Sequence, residues 1–156
     1  MASPSRPLRQ DLLAPSLFDW LPGHRAAQRR AQASRLALAE LPQRLAELDR
    51  DLIRLAALAQ VAEQPNAAAV ARRSTITARL REGLGYGERL AARCGDQEIA
   101  SGWRVVRAAV DSALLLAPGP QRVARLRAAA GRCKQLRLQV EEKLGASATD
   151  GQRSAA

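Results

Sequence analysis

The side chains in this chain with the charge and reach to do chemistry are its arginines. Lys and Arg together number 25 against 15 Asp and Glu, for a net charge of +10, and all but Lys134 and Lys143 are arginine. A guanidinium presents a planar fork of donors that pairs bidentately with phosphate or carboxylate. A surplus of them implies a surface that attracts polyanions. A GC-rich genome raises arginine as well, but it raises Asp and Glu with it, and these are few here. Arg29, Arg30, Arg72, Arg73, Arg79, Arg122, Arg125 and Arg132 are the candidate nucleic-acid contacts. A solvated basic surface with a protein partner is the alternative.

Other chemistry finds little material. His24 is the one histidine, and Cys94 and Cys133 lie far apart with no CxxC or Cys/His spacing, so no metal site is expected. No nucleophile and base stand in a recognisable arrangement, so no catalytic residue and no cofactor is assigned, and the chain reads as a non-enzyme. Gly83-Leu84-Gly85-Tyr86-Gly87 has neither GxGxxG spacing nor a Gly-Lys-Ser/Thr ending. With no strand before it, a phosphate loop is not expected. Tyr86 and Trp103 are the aromatics beyond residue 22, and Trp103 falls in phase with an apolar helical face. Contact with nucleic acid would therefore be made to backbone rather than to stacked bases.

The elements that position these arginines read as helices. Leu41, Leu45, Leu48, Leu52, Leu55, Ala59 and Ala62 alternate in steps of four and three, which draws one stripe along a helix and calls for a partner. Five helices are expected, over about 25–40, 43–63, 66–94, 96–117 and 121–144. Pro42 either starts the second or kinks one long helix. The glycines at 83–87 predict a kink or break, with a close helix crossing as their use. The third helix is expected to bury Val70, Thr77, Leu80 and Leu84. The fourth, capped by Asp96, buries Ile99, Trp103, Val106, Val110, Ala113 and Leu114. Pro118-Gly119-Pro120 turns the chain into a fifth helix that buries Val123, Leu126, Ala130, Cys133, Val140 and Leu144 and carries Arg137 at its apolar edge.

The fold class that follows is all-α, an antiparallel helical bundle over 23–145, with a flexible Pro-rich arm over 1–22 and a disordered tail over 146–156. Net charge by segment is +3, −1, +4, −1 and +5 along the five helices. The odd-numbered helices of an up-down bundle run parallel, so their arginines are expected to converge. The arm holds an apolar patch in which Leu17, Phe18, Trp20 and Leu21 either fold back onto the bundle or dock onto a partner protein. The six arginines over residues 1–39, against Asp11 and Asp19, also allow a transit peptide, although a cytoplasmic location without membrane contact is the expectation. Two roles remain: an accessory protein that grips nucleic-acid backbone, or an adaptor or homo-oligomeric scaffold that uses the arm or the leucine stripe.

Overall fold

The computed structural model describes residues 22–60 and 66–153. The chain divides into two compact units, Met1–Gln32 and Ala33–Ala156. Four helices make up the described residues: α1 (Pro22–Gln60), α2 (Ala67–Cys94), α3 (Gln97–Leu115) and α4 (Pro120–Arg153). The class is all-α, as expected. The count of five is corrected to four, because the first two predicted helices are one, running through Pro42. A proline inside a helix costs about 3 kcal/mol relative to alanine. Here the leucine stripe spans the proline on both sides, with Leu41 and Leu45 fully buried, and its packing holds the helix together.

Within the Ala33–Ala156 unit the helices pair antiparallel around one core. Asp51 of α1 meets Arg79 of α2, and Glu40 meets Tyr86. Asp49 and Gln60 of α1 meet Lys134 and Arg127 of α4. The remaining sides are closed by α3, which packs on both α2 and α4. The helices thus run up and down in cyclic order, with α2 and α4 at diagonal corners. The stripe from Leu41 to Leu55 is buried as its spacing predicts, together with Leu80, Leu84, Ile99, Trp103, Val106, Val110, Leu126 and Val140.

The helix α2 is also unbroken, against the expected break at the glycines. Their close-crossing role holds at Gly87, which is buried against the ring of Trp103, while a Cβ at Gly83 would lie 3.1 Å from Leu48 Cδ2. Missing side chains let neighbouring elements approach, and that packing outweighs the propensity cost. Val70 is a further correction: it is 52% exposed, because the core face of α2 starts only at Ile76 and Leu80. Helix α4 continues beyond Gly145, where the fifth helix was expected to end, and reaches Arg153. A glycine stops a helix readily only in the left-handed conformation, which among the described residues is found at Gly95, with φ +68°.

Asp96 caps α3 as its sequence position predicts. Its carboxylate accepts from the backbone N–H groups of Glu98 at 2.9 Å and Ile99 at 3.1 Å. The other carboxylate oxygen lies 2.5 Å from Lys143 Nζ, tying the start of α3 to α4. That bond, joined by the two backbone donors, holds the Asp96 carboxyl below its usual range although desolvation opposes it. The lowered pKa fixes the sign of the pH effect. The contribution is complete above the unfolded-state carboxyl pKa and is lost as pH falls through the folded one. Asp96→Ala is expected to cost about 1 kcal/mol at neutral pH through loss of the cap. Asp96→Asn keeps a cap and should flatten the acid limb of stability. Urea unfolding at neutral and acid pH checks both. An Asn variant with an undiminished acid limb would contradict the assignment.

Both cysteines are free. Burial, with the nearby charge of Asp49, pushes the Cys133 thiol up to about 12, so it stays protonated and acts as a small core residue.

Candidate nucleic-acid interface

Antiparallel packing of α1 on α2 leaves a long seam, and arginines line both of its walls. Toward the middle, Arg44, Arg50 and Arg54 from α1 and Arg79 and Arg89 from α2 surround a cleft of about 520 Å³. Leu48 and Gly83 also line it, along with Glu47, Asp51, Glu82 and Tyr86. Arg54 and Arg79 also reach the next stretch of the seam, where Arg72 joins them. The placement follows from helical spacing: residues three, four or seven apart share a face. Arg50 and Arg54, like Arg72 and Arg79, therefore look toward one side.

The cleft is partly neutralised from within. Arg44 pairs with Glu40 at 3.2 Å and Glu47 at 2.9 Å. Asp51 receives Arg79 at 2.6 Å and Arg54 at 3.7 Å. Tyr86 donates its hydroxyl to Glu40 at 2.9 Å, and its ring carries Arg44 at 4.7 Å and Arg89 at 5.5 Å from the centroid. These cation–π contacts employ the ring within the protein, and its hydroxyl is held as well. Among the described residues, Arg50, Arg72 and Arg89 have no carboxylate within ion-pairing distance. Their guanidinium charge remains available to an added anion.

The arginines singled out from sequence separate in the fold. Arg72 and Arg79 lie on the α1–α2 seam. Arg73 is half-buried and donates to the carbonyl of Leu58 at 3.2 Å, so part of its fork serves the fold. Arg122 likewise donates to the carbonyl of Leu116 at 3.3 Å and holds the turn between α3 and α4. Arg125 and Arg132 are exposed on α4, at the corner diagonal to α2. The expected convergence is therefore corrected. Fusing the first two helices shifts the numbering by one, and α2 and α4, though parallel, do not adjoin. Arg29 and Arg30 are exposed on the Met1–Gln32 unit. Leu17, Phe18, Trp20 and Leu21 lie outside the described residues.

Arg44, Arg50, Arg54, Arg89 and Tyr86 were not among the sequence candidates. The segment 43–63 carries a net charge of −1, which gives no sign of a basic groove. The available signal was finer: Arg50 has a single acid three or four positions away, Glu47, and shares it with Arg44, which holds it at 2.9 Å, whereas Arg54 has Asp51.

Among the described residues no cluster of His, Cys, Asp and Glu could hold a metal ion, and no helix is long and apolar enough to cross a membrane. Comparison with protein-family models, with curated proteins and with solved structures finds no match for this chain.

Proposed function

We propose that this protein is a non-catalytic helical accessory protein that binds nucleic-acid backbone electrostatically, with the α1–α2 seam as the binding groove. The observation that carries the reading is the convergence of arginines from two helices on one seam, with Arg50, Arg72 and Arg89 left without carboxylate partners. Phosphates entering such a groove release condensed counterions, which gives affinity that is insensitive to sequence and steep in salt. With Tyr86 already held by Glu40 and two arginines, base stacking contributes little.

Titrating a labelled single strand and a labelled duplex across a salt series tests this. Replacing Arg50, Arg72 and Arg89 together by alanine is expected to weaken binding at least tenfold at physiological salt. It should also reduce the logarithmic salt slope by about 2 for a single strand, since each phosphate contact contributes about 0.7. Arg125→Ala with Arg132→Ala, on the diagonal corner, should change the slope less. Binding without salt dependence, or a slope that the triple variant leaves intact, would refute the proposal.

A further inference from the structure

One end of the seam has a different chemistry, which phosphate backbone does not require. Between the last turns of α1 and the first turns of α2 lies a groove of about 540 Å³, floored by Ala57, Leu58, Ala71 and Ile76 and rimmed by Arg54, Arg72 and Arg79. Its polar groups are already occupied. The Thr75 hydroxyl donates to the carbonyl of Ala71 at 3.0 Å, and the Leu58 carbonyl accepts from Arg73 at 3.2 Å. The floor therefore offers mainly apolar atoms. Alanines at 57 and 71 keep the seam shallow, while Leu58 and Ile76 are only half-buried and leave apolar surface facing out. The rim has surplus positive charge: Arg54 and Arg79 share the single carboxylate of Asp51, and Arg72 has none.

From this complementarity we infer that the α1–α2 groove at Ala57 and Ala71 docks an acidic amphipathic helix of a partner protein, with its apolar face on the floor and its carboxylates on Arg54, Arg72 and Arg79. A helix suits the seam, because the groove between two antiparallel helices accepts a third at ordinary packing distance. Apolar anchors supply the binding energy, and the flanking charges set register and orientation. The inference shares the rim arginines with the nucleic-acid reading and is set apart from it by the apolar floor.

The test uses the full chain and a fluorescein-labelled synthetic helical peptide with one leucine face flanked by glutamates. Anisotropy should show saturable binding that falls about tenfold or more when the glutamates become glutamine or when Arg72 is changed to glutamate. Arg72 is exposed and has no partner among the described residues, so R72E should melt as the parent does, and a lysine-flanked peptide should bind R72E better than it binds the parent. The inference is overturned if a scrambled peptide without an apolar face binds equally, or if R72E leaves peptide affinity unchanged. It also falls if the peptide fails to bind, whether a single-stranded oligonucleotide then proves sensitive to R72E or sedimentation shows that R72E abolishes self-association of the chain.

Discussion

Gly87→Ala is expected to destabilise the bundle by about 2 kcal/mol, although the same change two residues earlier should stabilise it. Alanine is the better helix former by about 1 kcal/mol at either position. The difference lies in what a Cβ would meet. At Gly85 the nearest atom is Arg89 Nη1 at 3.8 Å, the far end of a flexible side chain, so the propensity gain should survive. At Gly87 the Cβ would fall inside the ring of Trp103, which is 1% exposed and cannot swing away. Either the ring leaves its rotamer or α2 and α3 move apart, and overpacking of this kind costs about 1–3 kcal/mol and at times more. Gly102 is an intermediate case, because its Cβ would lie 2.6 Å from Leu136 Cδ1, a side chain able to shift. Urea unfolding of the three alanine variants should rank them Gly85, Gly102, Gly87 from most to least stable. Equal stability for Gly85→Ala and Gly87→Ala would remove the Trp103 contact as the reason for the glycine. The Gly87 variant should also shift the fluorescence of Trp103, whose indole Nε1 is buried without a hydrogen-bond partner.

The features that could be read from sequence are those set by neighbours within a few residues. The stripe from Leu41 to Leu55 needs only helical periodicity, and the Asp96 cap needs only the start of an apolar face after a turn residue. Trp103 was legible for the same reason, being in phase with Ile99, Val106 and Val110. The glycines were half legible. Their spacing suggested a close crossing, but whether α2 would break depended on Trp103, which belongs to another helix. The seam was not legible at all. Asp51 and Arg79 are far apart in sequence and become one ion pair only when α1 lies antiparallel on α2. Charge summed along one helix cannot reveal a site whose walls come from two. It conceals it, since the sum cancels Arg50 against Asp49, whose carboxylate in the fold reaches Lys134 of α4 at 3.9 Å instead.

Pro42→Ala is expected to act in the opposite direction to Gly87→Ala, stabilising the fold by about 2 kcal/mol. Proline inside a helix is about 3 kcal/mol less favourable than alanine, because it lacks the N–H that would bond the carbonyl four residues back and its ring crowds that carbonyl. Against this gain stands the apolar contact of the pyrrolidine ring, which is half-buried, and its loss offsets about 1 kcal/mol. The site gives the proline a second reading that the same variant can separate. Glu40 and Arg44, two residues to either side of it, hold Tyr86 at the edge of the arginine cleft. If the proline sets the local helix geometry that aims this pair, P42A will be more stable while its affinity for single-stranded nucleic acid falls. If the pair is aimed by α2 alone, stability will rise and affinity will stay. A P42A variant less stable than the parent would contradict the argument at its base, because ring packing at position 42 would then outweigh a missing hydrogen bond in the middle of a 39-residue helix.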